Sequence, residues 1–458
     1  MPKISFLLLF SIFFVFESIS SGQITTVAET SSSANATLNR TRGKNMLDDI
    51  KKVLKEYYFD VKYRGIDLDE KIKTAKQRVG SMDTNMQIFQ EIAEVMLAFD
   101  DSHTFFVPPN RSNRVSYGFT MQMVGPRCFV VSVKKGSDAE VKGVKPGDQI
   151  LAVGDAAPTR DNLWRINYLL YALSPQEAIQ VTLLGVDGAE RKVIVRSSFK
   201  SLADRRKEAE ERRKKKADEP FKCHLPAGDT AICKLRTFAT EKKAIDRMMA
   251  EVYNAKNLIL DLRGNGGGLV DTAEYLVGRF FDKDVKVATF LTRTKTREIV
   301  AKTQKDKVFG GQLIVLIDSN SGSAAEIFAR LVQIEKRGKV IGDISSGSVM
   351  TSYFIPMLND RGVPGYQTFS QFAVSVTVGD VVMSDGGRLE KAGVVPDQQA
   401  RPTARALHDN LDPVLGYAAG QFGVKMSGEE AGRLNFLKAP DDSEETSSDD
   451  SEKDAPKP

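Results

Sequence analysis

Two short apolar runs in this chain end in small, flexible residues. The first is Asn257-Leu-Ile-Leu-Asp-Leu-Arg-Gly-Asn-Gly-Gly-Gly268, a strand-like stretch that closes in three consecutive glycines. The second runs from Leu313 to Ile317 and continues into Asn320-Ser-Gly-Ser323-Ala-Ala-Glu-Ile327. Side by side in one sheet, such strands present bare backbone amides and a serine hydroxyl at the same edge. Acyl transfer needs a nucleophile together with N–H donors that approach a developing oxyanion without Cβ interference. Either run alone reads equally well as an ordinary strand-to-helix turn; the two together favour a serine hydrolase.

The chain has 458 residues, enough for two or three domains, and its 41% apolar content supports buried cores. The net charge of +5 conceals strong segregation, with Lys and Arg clustered between Lys200 and Lys216 among alternating acids. No aromatic residues interleave with that run, so it lacks a stacking platform and argues against a nucleic-acid partner. The opening Met1-Pro-Lys3, the apolar stretch Phe6 to Phe16 and the small residues up to Gly22 predict a signal peptide over 1–22. That stretch is too short for a comfortable membrane span; an uncleaved anchor is the alternative. An exported protein, periplasmic or extracellular, with no stable membrane insertion is expected. Cys223 and Cys233 flank a hairpin-like turn and could pair, which leaves Cys128 as a small buried hydrophobe. Their spacing is not that of a zinc site, and no metal or cofactor is expected.

Along the chain, residues 23–44 are Ser/Thr/Ala/Asn-rich without periodicity and read as a flexible leader. Helical spacing of Leu47, Ile50, Val53 and Leu54, and later of Ile88, Ile92, Val95 and Met96, predicts a helical region over 45–112. Alternating patterns such as Cys128 to Val133 predict a β domain over 113–200. Within it the stretch from Gly143 to Ile150 resembles the turn between a short helix and a strand in PDZ domains. Tyr117, Gly118 and Phe119 stand where such domains hold a peptide carboxylate on backbone amides. A charged helix or linker is expected over 201–222, an α/β core over 223–425, and a disordered acidic tail over 426–458.

Asp261 to Gly268, Gly322 to Ile327 and Glu390-Lys-Ala-Gly-Val-Val-Pro-Asp397 resemble the C-terminal processing peptidases (tail-specific proteases), whose relatives include tricorn-type enzymes. The resemblance implies a ClpP/crotonase-like α/β peptidase core with an inserted PDZ-like β domain and an N-terminal helical region. It implies Ser323 as nucleophile, acting on unfolded or C-terminally exposed polypeptides. It also places the lysine of the family's Ser–Lys dyad at position 348, where this chain has Ser348. Serine is no base near neutral pH, so the dyad mechanism does not carry over.

A replacement base is available. Among the three histidines, His224 and His408 read as surface residues, whereas Ser102-His103 resembles the Ser–His pair of tricorn-type relatives. In those, a glutamate acting through the neighbouring serine orients the histidine; here it maps to Glu390. Imidazole, with an ordinary pKa of about 6.5, can take the serine proton and return it to the leaving amine. The oxyanion hole is expected from the amides of Gly267 and Ala324, with Arg263 and Asn265 bracing the loop and Glu326 helping to set the helix start. Loss of the family lysine leaves a second reading, a non-catalytic PDZ-containing protein that binds peptides or a lipophile. A third, an esterase for small acyl substrates, would turn over esters without cutting protein.

Overall fold

The computed structural model describes residues 33–436 apart from 110–113, most of 201–218, 227–228 and 360–369. The segment expected as a signal peptide and the last residues of the acidic tail lie outside the described residues, as does most of the charged linker.

A six-stranded sheet organises the centre. Its strands lie in the order Gln398–Gln399, Lys339–Gly342, Gln312–Ile317, Asn257–Asp261, Thr230–Leu235, Phe221–His224. All neighbours are parallel except the last pair. Continuous apolar runs rather than alternating ones are what a parallel strand covered on both faces requires. Leu258, Leu260 and Val315 pack with residues of the helices Lys242–Val252, Val270–Val277 and Ala324–Ile334. The intervening Ile259, Ile314, Leu316 and Ile341 pack against Val414, Leu415, Ala418 and Ala419 of the helix Pro413–Gln421.

The register sets where the loops emerge. Asp261 is level with Leu316, and Ile317 with Gly342, so three adjacent strands end together. Their following loops, 262–269, 318–323 and 343–350, therefore crowd one edge of the sheet, where open α/β sheets bind their ligands.

An antiparallel sheet adjoins this layer, ordered Phe105–Val107, Ser370–Met383, Val285–Thr292, Thr296–Ala301, with Thr351–Asn359 also on the long strand. Helices α1 (Ser33–Tyr57), α2 (Leu68–Val79) and α3 (Asn85–Leu97) form a further core with Phe106, Phe372, Val374 and Val376. α1 begins inside the stretch expected to be a flexible leader. Its buried face there consists of Ala36, Asn39 and Gly43, residues too small or polar to register as an apolar stripe. A Cβ on Gly43 would meet Ile88 Cγ2 at 2.4 Å, so the glycine allows α1 to lie close on α3.

The predicted β domain is a five-stranded antiparallel sheet, Phe119–Val124, Arg127–Val133, Gln149–Val153, Ala178–Leu184 and Glu190–Arg196, neighbours in that order. Its entry and exit strands, Arg114–Ser116 and Ser198–Lys200, pair with each other, so the unit leaves and rejoins the chain at one place. Cys128 is buried within it.

Two further expected boundaries move. The central sheet starts at Phe221, inside the expected linker. Order also continues past residue 425: helix Gly428–Arg433 is capped by Ser427, and Ala431 and Phe436 are buried beneath the central sheet. Ala431, Leu434 and Phe436, scattered among glycines and charged residues, are too weak a pattern to separate this helix from the tail. Cys223 and Cys233 stand directly opposite on antiparallel strands and form a disulfide, with Cα atoms 4.1 Å apart.

The C-terminal helices are locked to the glycine-rich loop by charge. Arg263, 4% exposed, donates to Asp261 Oδ1 at 3.0 Å and Oδ2 at 2.6 Å, and to Asp412 Oδ1 at 2.9 Å and Oδ2 at 2.7 Å. Asp412 in turn caps Pro413–Gln421 by accepting from Leu415 N. Burial opposes every one of these charges, yet Asp261 is held below the usual carboxylate range because Arg263 and Lys234 face it. Removing Arg263 leaves Asp412 buried without this partner and Asp261 facing Lys234 alone, a loss that typically costs about 3 to 5 kcal/mol. Arg263→Ala is expected to lose that much in urea denaturation, and Arg263→Lys to recover little, since an ammonium cannot make both forks. A loss below about 1 kcal/mol would show that the fork does not brace the loop.

Candidate active site

Ser323 lies at the turn from strand Gln312–Ile317 into helix Ala324–Ile334, with φ 54° and ψ −118°. A non-glycine residue in such a conformation costs of order 1–3 kcal/mol and persists only where its surroundings impose it. The surroundings here are tight. A Cβ on Gly267, itself at φ 100°, would meet Ser323 Cβ at 2.6 Å and Ala324 N at 3.0 Å. Gly322 N donates to Asn265 O at 2.9 Å, so the glycine loop and the serine turn are stitched together. Ser323 is fully buried and its Oγ has no hydrogen-bond partner among the described residues. Ser321, by contrast, is committed to the turn, donating to Leu262 O and accepting from Asp318 N, both at 2.9 Å.

The two expected oxyanion donors differ. Ala324 occupies the first position of its helix, where the N–H has no intrahelical acceptor. Gly267 N donates to Asn265 Oδ1 at 2.9 Å, so in this conformation its amide serves the loop. The role of Gly267 here is to leave room for Ser323. Asn265 braces as expected, its Nδ2 reaching Leu235 O at 3.0 Å.

His103 comes from the turn between α3 and the strand Phe105–Val107, and is 1% exposed. Its Nδ1 lies 2.5 Å from Ser102 Oγ, which donates to Glu390 Oε2 at 2.9 Å. Because Ser102 gives its own proton to the carboxylate, it accepts from Nδ1–H, and that tautomer leaves the lone pair on Nε2. Ser102 N also donates to Glu390 Oε1 at 2.8 Å. Burial pushes the His103 pKa from 6.5 down to about 4, against the opposing pull of Asp101. The ring is thus neutral well below the value expected from an ordinary histidine. Burial also raises Glu390, an effect that donation from Val349 and Ser102 offsets only in part.

Asp101 was not singled out in the sequence, yet it fixes this turn. Its Oδ1 accepts from His103 N at 3.0 Å, Thr104 N at 2.7 Å and Thr377 Oγ1 at 2.7 Å, while Oδ2 accepts from Tyr58 OH at 3.0 Å. An aspartate two and three residues ahead of its own backbone donors is an Asx-turn signature that could have flagged it.

The serine and histidine sides meet in segment 343–350. Consecutive amides there donate to different carboxylates: Ser348 N to Glu326 Oε2 at 2.9 Å, and Val349 N to Glu390 Oε2 at 3.0 Å. Glu326 Oε2 also accepts from Ser323 N at 2.9 Å. Ser348, at the position of the expected lysine, makes a hydroxyl contact of 2.9 Å with Ser346. Lys391 is half exposed and ion-paired with Asp100, which disfavours it as a substitute base.

The β unit abuts this edge. Ser319 Oγ donates to Met123 O at 2.5 Å, and Gln122 Nε2 to Asp318 Oδ2 at 2.8 Å. The expected carboxylate cradle is closed on itself. Gly118 N donates to Ser116 Oγ at 3.2 Å and Gly118 O accepts from Lys134 N at 2.8 Å. Tyr117 is buried with its hydroxyl donating to Gln176 O at 3.0 Å, and Phe119 pairs with Val133 in the sheet.

Residues 229–400, which carry the glycine loop, Ser323 and Glu390, match peptidase family S41. That stretch is a peptidase family S41 domain. The chain is 25% identical over 303 residues to the carboxy-terminal processing protease CtpA of Bacillus subtilis (strain 168), covering 65% of this chain and 58% of the relative. It is 28% identical over 283 residues to a tail-specific protease of Haemophilus influenzae, covering 57% of this chain and 39% of the relative. The chain thus spans about half the length of these curated relatives. Mature CPAF superposes with a TM-score of 0.62 at 14% identity, covering 85% of this chain and 100% of that one, a likeness of fold.

The buried His103 makes stability depend on pH. Above about 6.5 the ring is neutral whether folded or unfolded. As pH falls from there toward about 4, the unfolded ring binds a proton that the folded one does not, so the folded state loses stability across that window. The wild type is expected to lose on the order of 2 to 3 kcal/mol relative to His103→Gln between pH 7 and pH 4. Parallel stability curves for the two proteins would contradict the buried neutral ring.

Proposed function

We propose that this chain is a serine-type peptidase in which Ser323 is the nucleophile and His103 the general base. The observation that carries the reading is the relay from His103 Nδ1 through Ser102 to Glu390, because it leaves Nε2 as the proton acceptor. In the reaction, Ser323 Oγ attacks the scissile carbonyl carbon as its proton passes to Nε2. The imidazolium is steadied by Glu390 through Ser102, and the tetrahedral oxyanion is held by Ala324 N–H at the helix start. The ring then protonates the leaving amine, and a water molecule, deprotonated in the same way, releases the acyl group.

The core corresponds on this reading to the ClpP/crotonase-like peptidase fold and the inserted sheet to a PDZ-like unit. Unfolded or C-terminally exposed polypeptides are the proposed substrates, in keeping with the names of the curated relatives. An exported location is proposed from the apolar stretch Phe6 to Phe16 and from the disulfide, which suits an oxidising compartment. Among the described residues no helix is long and apolar enough to cross a membrane. The second reading, a non-catalytic binding protein, is favoured by Ser348 at the lysine position and by the engaged amide of Gly267.

An active-site-directed fluorophosphonate separates the two readings, since a binding protein has no activated hydroxyl. Labelling at Ser323 and casein cleavage are expected in the wild type, with both lost in Ser323→Ala. For the wild type, kcat/KM should stay level from pH 8 to about pH 5 and fall through an ionisation near 4. His103→Ala should remove most of the rate. An unlabelled serine, or a profile that rises only at alkaline pH, sinks the histidine-base assignment.

The PDZ-like role has its own test, because the Gly118 loop must open to hold a chain terminus. A polypeptide with a free C-terminal carboxylate should be cleaved at least several-fold faster than the same chain amidated. Equal rates would make the inserted unit a structural one.

A further inference from the structure

We propose that Glu326 is a positioning residue that holds the nucleophile and the base relay in one frame, an inference that rests on the serine-peptidase reading. Glu326 is fully buried at the third position of the helix behind Ser323. Its carboxylate accepts four hydrogen bonds, two per oxygen. Oε1 takes Ser345 Oγ at 2.6 Å and Gly347 N at 2.7 Å; Oε2 takes Ser323 N and Ser348 N, each at 2.9 Å.

A helix-start glutamate ordinarily satisfies one orphan amide of its own turn. Three of these four donors come instead from a segment about twenty residues away, and that segment passes its next amide, Val349 N, to Glu390. Ser345 Oγ also accepts from Val394 N at 2.5 Å, tying the strap to the chain just beyond Glu390. The path from Ser323 to the orienter of His103 therefore runs Glu326, Ser348, Val349, Glu390. The strained backbone of Ser323 has a fixed anchor in this carboxylate. Four donors saturate its lone pairs, so a neutral side chain cannot replace it: an amide would turn its NH2 toward two of the donors.

The test compares Glu326→Gln, Glu326→Asp and Ser345→Ala with the wild type, by steady-state kinetics on a peptide and by amide hydrogen exchange. For Glu326→Gln, kcat should fall at least about 30-fold with KM changed less than about 3-fold. Exchange should rise across 343–350 while strands Asn257–Asp261 and Gln312–Ile317 stay protected. Glu326→Asp keeps the carboxyl group with a shorter reach, and Ser345→Ala removes one donor, so each should lose less. Unchanged kcat in Glu326→Gln overturns the proposal. So does a loss of protection spread over the whole sheet, which would mark a general fold requirement, or a Ser345→Ala loss as large as that of Glu326→Gln. If the wild type itself neither cleaves nor labels, the peptidase reading fails; in that case unchanged exchange across 343–350 in Glu326→Gln still overturns the strap on its own.

Discussion

Parallel pairing of strands Asn257–Asp261, Gln312–Ile317 and Lys339–Gly342 is the constraint from which the site follows. Parallel strands cannot be joined by tight turns, so each needs a crossover, and all crossovers leave from the same edge. Because the three strands end level, the glycine loop, the serine turn and the 343–350 strap are neighbours without any side chain having to bring them together. What remains is to hold three irregular loops still. The structure uses buried charged and carboxyl groups for that: Arg263 between Asp261 and Asp412 under the first loop, and the carboxyl groups of Glu326 and Glu390 beneath the third. Carboxyl acceptors suit the task because two oxygens can take several donors at once.

The histidine reaches this edge from elsewhere in the chain. The turn that carries it is bound to the antiparallel sheet through Asp101, Thr104 and Thr377, and the adjoining strand Phe105–Val107 pairs with Ser370–Met383. The helical region is thus part of the same body as the S41 domain: Phe106 shares a core with Phe372 and Val374. Placement of His103 relative to the core depends on packing among residues far apart in sequence. That is a reason for the helices α1 to α3 to be present at all.

Legibility in the sequence tracked how local each signal was. The glycine loop and the small residues around Ser323 could be read because close backbone approach demands glycine or alanine at fixed places. The disulfide was legible from a turn between two cysteines. Resemblance supplied Ser102, His103 and Glu390, which no periodicity would have joined across nearly three hundred residues of chain. The start of α1 was hidden because its buried face is made of Ala36, Asn39 and Gly43, where contact is gained by smallness. Helix Gly428–Arg433 was hidden by the polar stretch around it. Glu326 reads as a helix-start residue, which it is; that it also receives Ser345, Gly347 and Ser348 is a tertiary fact with no sequence spacing to announce it.

Burial has a chemical consequence for the proposed base. A histidine held near pKa 4 is neutral at any ordinary pH, which is the correct state for accepting a proton, but it is also a weak acceptor. The cost of charging it is mostly desolvation, and desolvation can be offset only by charge close at hand. Glu390 stands one hydroxyl away through Ser102, and on the proposed reading an oxyanion forming beside Ser323 would bring a second negative charge toward the ring. In low dielectric both attractions are far larger than in water. On the proposed reading the ring therefore gains basicity as the tetrahedral intermediate forms, and the relay matters most in the transition state. Replacing Glu390 by glutamine would then lower kcat far more than it alters substrate binding. A rise in KM at constant kcat would place the role of Glu390 in ground-state binding instead.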